Sequence, residues 1–152
     1  MKVRADDTKG ANLCAIGADE MSIGPKYEYY KGLHCYLGYV SPEIARDEAE
    51  AQQKVDHVMT LVARGLASHC KQNVGYVFTG SSFDARKMWE YVVDVMRVMY
   101  EEGIVAKVFS SDMGPTMVAL WTYNGIRATR EGFSVSVPHP VIPEEWRTKG
   151  IF

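Results

Sequence analysis

The run Leu13 to Ala18 (L-C-A-I-G-A) carries no polar side chain and stops at Asp19-Glu20. A continuous apolar run of this length fits a central strand covered on both faces. A strand of that kind needs other layers on both of its faces. Ile104 to Phe109 (I-V-A-K-V-F) reads the same way and ends at Ser110-Ser111-Asp112.

The remaining segments supply the layers. Tyr27 to Tyr30 and Leu33 to Val40 are rich in strand formers, and short turns at Gly24-Pro25 and Lys31-Gly32 join them to the first run. The expectation is an antiparallel meander of three strands. Ser41-Pro42 reads as a helix start, with Ser41 at the N-cap and Pro42 at N1, ahead of a polar stretch from Glu43 to Lys54. Val58 to Ala63 fits either the continuation of that helix or a short strand, and periodicity does not choose. Val74 to Thr79 is a clearer strand. Phe83 to Glu102 is the strongest helix, with Ala85, Trp89, Val92, Met96 and Met99 on one face. Ser81 or Ser82 would cap its start and Gly103 its end. Gly114-Pro115 opens a short helix over Thr116 to Tyr123, closed by Asn124-Gly125. Phe133 to Val137 alternates with period two, and Pro138 to Pro143 is an extended Pro-rich crossing.

Composition narrows the function. The 152 residues make one domain with room for a core. An apolar fraction of 47% excludes disorder by composition. Lys plus Arg is 17 and Asp plus Glu is 19, so the net charge of -2 excludes a strongly basic shell without excluding DNA. The charged start, Met1 to Asp7, is not a signal peptide, and no apolar run is long enough to span a bilayer. The odd cysteine count, Cys14, Cys35 and Cys70 with no CxxC pair, suits a reducing compartment and three small buried hydrophobes. No P-loop, dinucleotide, zincin or nucleophile-elbow motif occurs.

Asp19 and Asp112 are the residues that can carry chemistry. Each closes an apolar strand, and α/β folds gather ligands at such ends. If the two strands are neighbours, two hard carboxylates meet, a donor set suited to Mg²⁺ or Mn²⁺. They would repel without a cation. The plainer reading makes each a turn residue or helix cap. Glu20 points away from Asp19 and reads as a surface or supporting group. The four histidines show no metal spacing with the cysteines. Tyr27, Tyr29, Tyr30, Tyr36 and Tyr39 mimic a nucleic-acid stacking platform, but within a meander they read as packing.

At A-D-E-M-S-I (Ala18 to Ile23) the chain resembles the ribonuclease H-like catalytic domain of P element-type DNA transposases, the family that includes the THAP-domain transposases of animals. Y-E-Y (Tyr27 to Tyr29), L-G-Y-V (Leu37 to Val40), V-A-R-G-L (Val62 to Leu66) and K-Q-N-V-G-Y-V-F-T-G (Lys71 to Gly80) follow in the family's order. So do V-A-K-V-F-S-S-D-M-G-P-T-M-V-A-L (Val105 to Leu120) and the His-Pro passage F-S-V-S-V-P-H-P-V-I-P (Phe133 to Pro143).

The resemblance implies a mixed α/β sheet with flanking helices over residues 1–152, an incomplete ribonuclease H-like domain, and makes Val58 to Ala63 a strand. It implies that Asp19 and Asp112 are catalytic and bind Mg²⁺ or Mn²⁺, that DNA is the partner, and that the protein works in the nucleus. The chemistry would be hydrolysis and transesterification of DNA phosphodiesters. The family's later acids, its zinc-coordinating DNA-binding domain and its guanine-nucleotide segments have no counterpart here, and Glu144 and Glu145 do not fall in an acid block. The expectation is therefore a truncated, domesticated or excised piece that binds metal weakly on its own. The alternatives are a catalytically silent module that binds a protein or itself through an exposed sheet edge, and an unrelated α/β module whose aspartates cap helices.

Overall fold

The computed structural model describes residues 12–80, 83–129, 132–134 and 136–143. In chain order the elements are β1 (Leu13–Ser22), β2 (Glu28–Tyr30), β3 (Cys35–Leu37), α1 (Glu48–Ala51), β4 (His57–Gly65) and β5 (Lys71–Thr79). There follow α2 (Ala85–Glu101), β6 (Val105–Ser111), α3 (Pro115–Tyr123), β7 (Arg127–Thr129) and β8 (Gly132–Ser134). The main sheet has the order β5-β4-β1-β6. β1, β4 and β5 are antiparallel neighbours, and β6 joins parallel to β1. A parallel neighbour needs a crossover, which α2 supplies between β5 and β6. This is the mixed sheet with flanking helices that the resemblance implies.

One face of the sheet is the core. Cys14, Ile16 and Ala18 on β1 are buried, as are Met59, Leu61 and Ala63 on β4, Val77 on β5, and Ala106 and Phe109 on β6. α2 lays Met88, Val92, Met96 and Met99 onto them, and α3 adds Met117 and Leu120. The α2 stripe centres on Met88 and Val92, and Trp89 sits half-buried at its border. Its ring meets Phe109 edge-on at 6.2 Å, and Phe109 meets Trp121 at 5.3 Å. Each large side chain fully buried in this way stabilises the fold by about 1.5–3 kcal/mol. The opposite face of β1 carries Ala15 and Gly17, which are only half-buried. The expectation of a strand buried on both faces is corrected accordingly.

Further expectations change. The meander runs β1-β4-β5, not through Tyr27 to Val40, because β2 and β3 pair only with each other. Ser41 caps no helix: its hydroxyl accepts from Phe78 N at 2.9 Å, and its carbonyl accepts from Ile44 and Ala45. The helix of this region is the single turn α1, capped by the Asp47 carboxylate on Glu50 N at 2.8 Å. Val58 to Ala63 is strand, inside β4. α2 is capped by Asp84, which accepts from Lys87 N at 3.0 Å. Ser81, Ser82, Glu144 and Glu145 lie outside the described residues. Gly103, at φ 82°, follows the helix end as expected. Of the cysteines only Cys14 is buried, and burial pushes its thiol up; Cys35 is half-buried and Cys70 exposed. No helix among the described residues is long and apolar enough to cross a membrane.

The His-Pro passage is anchored by His139, which is buried. Its Nε2 lies 2.8 Å from the Ala106 carbonyl and its Nδ1 3.2 Å from the amides of Val141 and Ile142. These partners assign the proton to Nε2 and leave Nδ1 to accept.

Glu50 is the one buried carboxylate of the described residues. Burial acts to raise it, but hydrogen bonds from the Arg46 side chain and backbone, with the guanidinium charge, outweigh that and hold it below its ordinary range. A lowered carboxyl stabilises the fold above its unfolded value, about 4.3, and that contribution fades as pH falls through the lower folded value. Thermal melts at pH 5.5 and pH 3.5 should therefore differ more for the wild type than for Glu50→Gln. Equal differences would remove Glu50 from the acid response.

Candidate metal centre

β1 and β6 set the geometry. Their last partners in register are Ala18 and Ser111, so Asp19 and Asp112 are each the next residue. Asp112 follows the end of β6, whereas β1 does not stop at Asp19-Glu20 as expected but runs on to Ser22, paired there with β4 alone. Neighbouring strands lie about 4.8 Å apart, within the reach of two carboxylates on one ion. Both aspartates are exposed. Asp19 has the parity of Ala15 and Gly17, so its side chain leaves the sheet on the face away from α2.

The segment after β6 holds Asp112 in place. Trp121 Nε1 donates to Ser111 Oγ at 3.0 Å, and Ser111 Oγ donates to the Asp112 carbonyl at 2.8 Å. Asp112 Oδ1 accepts from Gly114 N at 3.2 Å. A Cβ on Gly114 would stand 3.3 Å from that oxygen, so glycine leaves the carboxylate its room. This turn leads directly into α3, with Gly114 at its N-cap and Pro115 following. Asp112 thus serves the turn with one oxygen while its carboxylate remains exposed.

Glu20 has a role its sequence reading understated. It shares the parity of Cys14, Ile16 and Ala18 and so turns to the core side. There Oε1 accepts from the buried Thr79 hydroxyl at 3.1 Å and Oε2 from Thr116 at 3.2 Å. One carboxylate therefore links the end of β1, the end of β5 and the first turn of α3. The parity was legible in the sequence, but the two threonines were not, since both are remote in the chain. The histidines do not join the aspartates: His57 pairs with Asp56 at 2.7 Å and His139 serves the backbone. Among the described residues no group of three or more His, Cys, Asp or Glu is placed to hold a metal. Two carboxylates are nevertheless a fitting donor set for Mg²⁺, which takes one or two from the protein and completes its shell with water and substrate phosphates.

The family profile described as TNP-like, RNase H N-terminal domain matches residues 1–125. The chain belongs to this family. This TNP-like ribonuclease H domain is the N-terminal part of a P element-type transposase domain. It is 25% identical over 122 residues to the Transposable element P transposase of Drosophila melanogaster, covering 80% of this chain and 14% of that protein. Its fold is similar to that of a chain in the Drosophila P element transposase strand transfer complex, with a TM-score of 0.67 and 21% identity. That similarity covers 92% of this chain and 26% of the other. The TNP-like domain thus spans a small part of the length of both relatives.

Proposed function

We propose that this domain contributes two acids, Asp19 and Asp112, to a centre that cleaves and transfers DNA strands with Mg²⁺ or Mn²⁺. The observation that carries the reading is the placement of both acids one residue past the last register pair of adjacent parallel strands. Family membership and the similarity to a transposase support DNA as the partner. Divalent ions, when bound, would neutralise charge on the scissile phosphate and activate the attacking hydroxyl. The chain's own part is to hold two carboxylates side by side, exposed to a phosphate backbone. Ser111, Trp121 and Gly114 fix the Asp112 turn, and Glu20 ties β1 to α3. A part in DNA transposition, as in the Drosophila relative, would put the protein in the nucleus.

A second reading has its own observation. The hydrogen bond from Gly114 to Asp112 also suits a purely structural turn. In that case the domain is a silent module, and the outer strand β5 would take a partner by strand addition.

A metal titration separates the two. Mg²⁺ should shift the amide resonances of residues 18–20 and 111–114, and Mn²⁺ should broaden them. Asp112→Asn should weaken the apparent affinity by about tenfold or more, since even supporting residues of metal sites are worth that much. Shifts centred elsewhere, or unchanged by the substitution, would defeat the paired-acid reading. Nicking of labelled DNA with and without Mn²⁺ tests turnover separately.

A further inference from the structure

The hairpin of β2 and β3 forms where two strands and a turn were expected, but it stands apart from the main sheet. Tyr29 and Tyr36 are directly opposed in its register, with ring centroids 5.2 Å apart. At its base Tyr27 and Tyr39 form a second ring pair at 4.8 Å. None of these rings is buried: Tyr29 is 46% exposed and Tyr36 61%. The sequence reading of these tyrosines as meander packing is overturned here.

The hairpin is held in shape at both ends. His34 occupies the left-handed region at φ 50°, and the Tyr29 hydroxyl lies 3.2 Å from His34 Nδ1. At the base Gly38 has φ 107°, and a Cβ there would fall 2.1 Å from the Lys26 carbonyl. Only glycine fits so close an approach. The rings are thus presented on a fixed ribbon.

Lysines stand close to the rings. The hairpin segment carries Lys26 and Lys31 against Glu28, and all three are exposed. Lys54 is brought alongside by the bridge between Tyr39 and Lys54, and its ammonium stands 4.8 Å from the Tyr27 ring centroid. Three lysines and one glutamate thus stand beside the rings. An open groove of about 520 Å³ adjoins the base, lined by Tyr27, Tyr39, Val40, Pro42, Ala51 and Gln52. It has room for a planar base, and Gln52 offers an amide to a base edge.

We propose that this tyrosine hairpin binds unpaired DNA, stacking bases on its two ring pairs while the lysines meet the phosphates. Exposed aromatic rings interleaved with lysines are the chemistry by which single strands are held without sequence preference. A duplex keeps its base faces stacked away and offers only its phosphates to such a surface. The inference rests on the reading of this domain as a DNA-processing one, and adds that the DNA near the site includes an unpaired stretch.

The test is fluorescence anisotropy of a labelled oligo-dT with the 152-residue chain, in EDTA so that no metal site contributes. The oligonucleotide should bind more tightly than a duplex of equal length. Tyr29→Leu with Tyr36→Leu should weaken binding about tenfold or more, the scale of one lost stacking contact or two. Tyr29→Phe with Tyr36→Phe should retain it, because the π faces remain. Lys54→Ala should weaken binding and flatten its salt dependence. Far-UV circular dichroism checks that the double variants fold. Equal binding of duplex, unchanged affinity in the leucine double variant, or tyrosine-dependent dimerisation without oligonucleotide binding would each overturn the proposal. Repeating the titration with Mg²⁺ in place of EDTA separates the two readings. Tyrosine-dependent binding in EDTA belongs to the hairpin, and binding seen only with Mg²⁺ and unaffected by the leucine double variant would assign the DNA to the acids instead. If the metal titration fails while tyrosine-dependent binding stands, only the metal reading falls.

Discussion

His139→Ala should lower the stability of the chain by about 3 kcal/mol, read as a shifted urea midpoint with an unchanged slope. The ring is 2% exposed, so its removal leaves a void that the surrounding chain fills only in part. It also strips the Ala106 carbonyl and the amides of Val141 and Ile142 of their imidazole partner. Unpaired buried polar groups cost more than the hydrogen bonds themselves contribute. His139→Asn is the sharper variant. Its side-chain oxygen can take the place of Nδ1 and accept from the amides two and three residues on, but it cannot reach Ala106. About half of the loss should return. A His139→Ala protein within about 1 kcal/mol of wild type, a typical cost for an ordinary substitution, would show that the passage is not anchored to β6.

The backbone elements that the sequence revealed are those whose apolar pattern is set locally. β1, β5, β6, α2 and α3 all appear over the expected apolar runs, because one buried stripe or run suffices to define each, although β1 and β5 extend beyond theirs and α2 is capped by Asp84 instead of Ser81 or Ser82. The segment from Tyr27 to Lys54 resisted for a physical reason. Alternating aromatics make a strand in any sheet, and nothing local says whether that strand joins the main one. Ser41 shows the same limit. Ser-Pro-Glu is a sound helix start, yet the Ser41 hydroxyl is taken by Phe78, remote in sequence, and the cap falls to Asp47. The tyrosines were misassigned by the same step: once the meander moved to β4 and β5, the rings had no sheet to pack under.

The candidate site was half legible. The end of an apolar strand is visible in sequence, so Asp19 and Asp112 could both be named. Their adjacency depends on β6 lying beside β1, which is a matter of topology and came only through the resemblance. The supporting residues were hidden more deeply. Ser111 and Trp121 are ten residues apart and meet because α3 folds back over β6. Thr79 and Thr116 meet at Glu20 only when three elements are assembled.

Glu20 therefore gives the most discriminating functional test. Glu20→Ala should weaken Mg²⁺ binding at Asp19 and Asp112 by about tenfold, within the range seen when supporting residues of metal sites are removed. It should also destabilise the fold by about 1–3 kcal/mol, since the Thr79 hydroxyl is fully buried and would lose its acceptor. The two effects belong to different arms of the carboxylate and can be separated. Oε2 to Thr116 joins β1 to the turn of α3 that follows Asp112, so it governs how the two acids face each other. Oε1 to Thr79 joins β1 to β5, on the far side of β4 from Asp112. Thr116→Val should lower metal affinity with little change in stability. Thr79→Val should keep metal affinity near that of the wild type, because it disturbs no contact of the Asp112 turn. Amide shifts in a Mg²⁺ titration read the first quantity and urea midpoints the second. If both threonine variants move the two quantities together, Glu20 is a packing residue and not a positioning residue for the acid pair.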